Sequence, residues 1–223
     1  MEIPSYPESY HPLIQSLYHH SDEQLLTMFQ EYPEQGKYFT TIFCRYSAIV
    51  YTLIFDSVGD FQVTNYLFAR TWVDIFYEMR GLILSSEGEP ELTSLQNWLI
   101  YITSLSINEK QNKLGETIPS EFKNVSIPLL CYLEQALEVL PPMIRFILVM
   151  IEKFRWSKNR VAAYLQAEGE MITKEELEKW LNRGHQLIES AIPEDIKIIY
   201  LDGEAKAKLK DNEKDYGWDF EFS

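Results

Sequence analysis

The run LPPMIRFILVMIEKFRWSKNRVAAYLQAEGEMITKEELEKWLNRGHQLIESA, Leu140 to Ala191, decides how this chain is read. After Leu140-Pro141-Pro142, the residues Met143, Ile144, Phe146, Ile147, Met150 and Ile151 recur at helical spacing, so a helix starts at the prolines. Ser157 precedes Val161, Ala162 and Leu165 and can cap a short second helix. A turn follows at Gly169. Thr173 and Glu176 then form a T-x-x-E capping box, and Leu177, Trp180, Leu181, Leu187 and Ile188 mark one face of a third helix. Helix, short helix, turn, capped helix is the order of a helix-turn-helix, whose last helix fits a DNA major groove. Three amphipathic helices around one apolar seam are equally a plain bundle.

Outside this run the pattern is also helical. The chain has 223 residues, 46% of them hydrophobic and 14% aromatic, enough to bury a core in one large or two small domains. Period 3.6 dominates, alternating patterns are nearly absent, and nine glycines leave little for hairpin turns. The expectation is an all-α protein. The first twenty residues lack a basic start and an apolar core, so no export signal is expected. The most apolar run, Phe146 to Ile151, is too short to span a bilayer. Cys44 and Cys131 lie in apolar helical patterns and read as reduced, buried thiols of a cytoplasmic protein.

No G-x-x-x-x-G-K, G-x-G-x-x-G, G-x-S-x-G, C-x-x-C or H-E-x-x-H occurs, so neither an enzyme nor a cofactor is expected. His11, His19 and His20 have no Cys or carboxylate partner at ligand spacing, which gives no metal site. The net charge of −14 opposes general nucleic-acid binding. Charge is uneven, however. Met1 to Gln35 holds Glu2, Glu8, Asp22, Glu23, Glu31 and Glu34 and no Lys or Arg. Met143 to Arg160 holds Arg145, Lys153, Arg155, Lys158 and Arg160 against Glu152 alone.

These residues carry a resemblance. Leu140-Pro141-Pro142, Arg145, Ile147-Leu148, Ser157, Val161-Ala162 and Leu165 are similar to the promoter-recognition domain of bacterial RNA polymerase sigma factors. That family reads L-P-P-x-x-R-x-(V/I)-L, then S-x-x-(E)-I-A-x-x-L. The nearest type is the two-domain, extracytoplasmic-function sigma factor, including a sigma-like branch found in cyanobacteria. Farther upstream, Phe39, Ile42, Phe43, Arg45-Tyr46, Val50-Tyr51, Gly59-Asp60, Leu67 and Thr71-Trp72 resemble the first sigma domain. Leu95 to Ile102 resembles its minus-ten segment, F-x-T-W-L-x-x-I-A.

The resemblance implies an all-α chain of two small helical domains joined by a polar linker. With a proline-rich lead-in (1–20), a polar linker without an apolar period (111–126) and an acidic aromatic tail outside the sigma pattern (193–223), the chain divides into a first domain (21–110) and a helix-turn-helix domain (127–192). The resemblance implies promoter DNA and core RNA polymerase as partners, with an anti-sigma or other regulatory protein as a further one. DNA contacts fall on Arg145, Arg155, Lys158, Arg160, Lys174, Lys179, Asn182 and Arg183. Minus-ten contacts fall on Asn97, Trp98 and Tyr101; Trp98 also fits the core stripe of its own helix. Polymerase contacts fall on Asn65, Leu67, Arg70, Thr71 and Asp74.

Two departures stand out. Asn65 and Tyr66 replace the family's acidic pair, and Ala69 and Arg70 replace its Gln-Glu pair, which weakens an electrostatic contact to the polymerase clamp. A degenerate sigma-like protein working through protein contacts, and a generic helical interaction module, are the alternatives. The tail, with Tyr216, Trp218, Phe220 and Phe222 among acids, is expected to shield the Arg145–Arg160 cations.

Overall fold

Helix α3 (Lys37–Val58) is the element the first half packs around, because its apolar side chains point in nearly every direction. Phe39, Ile42, Phe43, Val50, Tyr51 and Ile54 are buried along it. In a computed structural model that describes residues 6–85, 92–111 and 126–201, this helix lies against α1 (Pro12–Gln15), α2 (Asp22–Glu31), α4 (Phe61–Glu78) and α5 (Leu95–Gln111). By length and composition α3 is apolar enough to cross a membrane, but more than half of its most apolar window is buried inside the protein. Every regular element among the described residues is helical.

Local sequence explains the boundaries. Ser21 and Gln24 make a reciprocal capping box at the start of α2, and Asp60 caps α4 through the Val63 N–H. Gly59, at φ +72°, ends α3 in the left-handed region that a side chain disfavours. The Arg45-Tyr46 pair of α3 meets Asp22: both side chains donate to that carboxylate. Arg45 also donates to the carbonyl of His20 at 3.0 Å, so this pair fastens the chain's entry to the core.

The aromatic residues converge on Trp72 of α4. Its ring lies 4.9 Å from Phe43 and 6.0 Å from Phe39, both edge-on, an arrangement the ring quadrupoles favour. Phe39 and Phe76 meet at 4.9 Å, and Phe76 meets Tyr132 at 5.0 Å. Tyr132 belongs to α6 (Ile127–Glu138), beyond the expected linker.

Tertiary contacts therefore run across the expected partition. Helix α6 packs on α3 and α4, and it also meets α9 (Lys174–Ala191). Cys131 is buried with Sγ 3.8 Å from the Trp72 carbonyl. Arg70 pairs with Glu134 at 3.2 Å, and Arg80 donates to Gln135 at 2.8 Å. One continuous apolar core joins both halves through α6. The expected tail also begins as structure. Residues 194–200 form α10 (Glu194–Tyr200), with Ile196, Ile199 and Tyr200 buried. The linker residues 112–125 and the tail beyond 201, including its proposed shielding role, lie outside the described residues.

Cys44 is half-buried, Cys131 is fully buried, and both are free thiols. Burial pushes both far above the usual thiol range, which keeps them protonated and unreactive.

Candidate nucleic-acid interface

The three helices of the Leu140–Ala191 run form where the sequence places them, each for a local reason. Pro142 opens α7 (Pro142–Leu148). A π-helical segment, Val149–Lys153, continues it. Ser157 then caps α8 (Lys158–Ala167) by accepting the Arg160 N–H. Gly169, at φ +91°, ends α8: its N–H bonds the Gln166 carbonyl at 3.1 Å, and the Glu170 N–H bonds the Leu165 carbonyl at 2.9 Å. That pair of bonds is a Schellman motif, whose left-handed position favours glycine. Gln166 steadies the turn by donating to the Ile172 carbonyl at 3.1 Å. Thr173 and Glu176 close the expected capping box and start α9. Hydrogen bonds from Thr173 to the carboxylate, its backbone N–H first and then its side chain, hold the Glu176 carboxyl below the usual carboxylate range.

Helix α9 is sharply two-sided. Leu177, Leu181, Gly184 and Ile188 are buried along one stripe facing α7 and α6. Gly184 marks the closest approach, since a Cβ there would sit 2.5 Å from Leu148 Cδ1 and 2.7 Å from Ile144 Cγ2. On the opposite face Lys179, Asn182 and Arg183 are exposed, with Lys179 and Arg183 one turn apart. Glu175 and Glu178 are exposed beside them. On the inner flank, His185 Nε2 lies 3.2 Å from a carboxylate oxygen of buried Glu152 and ties α9 to the π segment.

All eight cationic or amide residues expected to touch DNA, Arg145, Arg155, Lys158, Arg160, Lys174, Lys179, Asn182 and Arg183, are exposed. Lys158 pairs with Glu178 at 3.1 Å, which joins the start of α8 to the first turns of α9. Arg160 lies with its guanidinium 3.9 Å from the centre of the Trp156 ring.

The other expected contacts divide. Asn97 and Tyr101 are exposed on α5, but Trp98 is buried, so it serves the core stripe and cannot stack on an unpaired base without leaving it. Leu67 and Thr71 are wholly buried, and Thr71 donates to Ser106 at 2.8 Å. These two are corrected from polymerase-contact residues to core residues: both fall on the side of α4 that faces the core, next to α3 and α5. Asn65 accepts from the Tyr51 hydroxyl at 3.0 Å, and Arg70 faces Glu134 of α6. Asp74 is half-buried on the same helix.

An aromatic group on α7, α8 and the connection between them is absent from the expected set. Tyr164 stacks on Phe146 at 5.5 Å and meets Trp156 edge-on at 6.0 Å. The signal was available: Trp156, Arg160 and Tyr164 recur every four residues.

Compared with known proteins, the chain matches no family model, no curated protein and no solved structure.

Proposed function

We propose that this protein is a sigma-like transcription initiation factor that binds core RNA polymerase and reads promoter DNA through the outer face of α9. The observation carrying this reading is the combination of a capped, two-sided α9 with Lys179, Asn182 and Arg183 together on its exposed face. Arg suits the O6/N7 edge of guanine and Asn the N6/N7 edge of adenine, while Lys179 and Lys174 suit phosphates. The exposed cations of α7 and α8 supply further phosphate contacts in an otherwise anionic chain. The finer arrangement, two sigma-type domains joined by the 111–126 linker, belongs to this proposal, as do an anti-sigma partner and a cytoplasmic location. The chemistry is binding without catalysis, and needs no metal or cofactor.

A specific observation favours a second reading, a sigma-like accessory that works through protein contacts. The helix expected to dock on polymerase has Leu67 and Thr71 in the core and Arg70 held by Glu134 of α6. One experiment separates the two. Purified protein is mixed with bacterial core polymerase and assayed for run-off transcripts from a promoter library. Specific transcripts support the initiation factor, co-purification without transcripts supports the accessory, and no co-purification rejects both.

A further inference from the structure

The cations between Arg145 and Arg160 are not arranged on the helix that would enter a groove. They lie on α7, the π segment, the connection after it and the start of α8, the same run that carries a ladder of flat side chains. The Arg160 guanidinium covers Trp156 at 3.9 Å, Trp156 meets Tyr164, and Tyr164 stacks on Phe146. Tyr164 is 42% exposed and Phe154, at the end of the π segment, is 57% exposed. Tyr164, within the ladder, and Phe154, on the connection beside it in sequence, are thus both left largely in water.

The backbone beside them is strained. Arg155 has φ +53°, a left-handed conformation that costs a non-glycine residue about 1 kcal/mol or more. It is fixed by bonds from the Phe154 N–H to the Val149 carbonyl (3.1 Å) and from the Trp156 N–H to the Met150 carbonyl (2.9 Å). Those bonds turn the chain sharply between Phe154 and Trp156. Arg145, Lys153, Arg155 and Lys158 are exposed along this run; Lys158 pairs with Glu178 and Lys153 acts on the Glu134 carboxyl of α6. The acid of this run, Glu152, is buried against His185 and contributes no exposed negative charge.

We infer that this surface is a binding site for single-stranded nucleic acid, in which Phe154 and Tyr164 stack on unpaired bases and the surrounding cations follow the phosphates. Charge complementarity selects a polyanion in a chain of net charge −14. Exposed rings select a polyanion with accessible base faces, which a duplex does not offer. The site is separate from the outer face of α9 and goes beyond the promoter-reading proposal.

The test is fluorescence anisotropy of the full chain with labelled 20-nucleotide oligothymidine and oligouridine, a 20-base-pair duplex, and inorganic polyphosphate. Expected is binding of at least one single strand, tighter than polyphosphate, that weakens about five- to one-hundred-fold in Phe154→Ala or Tyr164→Ala. Tyr164→Phe keeps the ring and should bind as the parent does, while thermal melting checks that each variant is folded. The preferred strand tells whether DNA or RNA is the source. Unchanged single-strand affinity in both alanine variants, or polyphosphate binding as tight as either strand, overturns the site. Lys179→Ala and Arg183→Ala should leave single-strand binding intact, so this site and the promoter reading fail independently.

Discussion

The carboxylate of Asp195 accepts the backbone N–H of Lys37 at 2.9 Å, across 158 residues of sequence. Its other oxygen accepts the Gly36 N–H at 3.0 Å. Helix α3 has no side-chain cap of its own, because glycine occupies that position. The last described helix thus supplies the cap that the first long helix lacks. Asp195→Ala should lower stability by about 0.5–2 kcal/mol, as loss of a helix cap does. Chemical denaturation reads this directly, and an unchanged midpoint would show that water replaces the cap.

The same junction predicts a steric effect. A Cβ on Gly36 would fall 2.2 Å from Ile196 Cγ1 and 2.9 Å from Tyr132 Cε2. Gly36→Ala should therefore destabilise by about 1–3 kcal/mol through overpacking. Trimming the partner relieves the clash, so Gly36→Ala combined with Ile196→Ala should cost less than the two single changes added together. Additive losses in a denaturation series would place the strain elsewhere.

Glu8 gives a pH prediction. It is buried, accepts from the Tyr200 hydroxyl at 3.2 Å, and burial pushes its carboxyl above the usual carboxylate range. A carboxyl raised by folding holds its proton more tightly folded than unfolded. Its contribution is complete below the unfolded pKa and is lost as pH rises through the folded one. Glu8→Gln should raise the melting temperature at neutral pH, by about 2–4 °C for each kcal/mol of penalty removed. The advantage should shrink in mild acid. A gap that widens on acidification would reverse the assignment.

The promoter-reading proposal rests on the outer face of α9. Arg183→Ala should weaken specific duplex binding by about ten-fold or more, the value of one bidentate base contact. Lys179→Ala should weaken all sequences alike and reduce the salt slope by about one. Because both side chains are exposed, thermal stability should stay within about 0.5 kcal/mol of the parent. Gel shifts in which neither change alters duplex affinity would remove α9 as the reader.

Much of the secondary structure was legible from the chain. Ser21 with Gln24 and Thr173 with Glu176 form reciprocal capping boxes, and Gly169 ends α8. Each device acts within four or five residues, so its physics is contained in the local sequence. Exposure was legible on α9 for the same reason, since a helical period marks which side chains turn inward. On α4 the resemblance, not the helical period, assigns Leu67 and Thr71 to a polymerase contact, and both are buried in the core. The ring ladder of Phe146, Trp156 and Tyr164 was partly hidden, because Phe146 comes from another helix.

What the amino-acid sequence by itself determined is the helical class, the capped starts of α2 and α9, and the two-sidedness of α9. Only the tertiary structure decided that α6 packs on α4, that α10 returns to cap α3, and that Gly36 must stay bare beneath Ile196. The reason is physical: an apolar stripe specifies that a helix face must be covered, while the identity of the cover depends on competing packings across the whole chain.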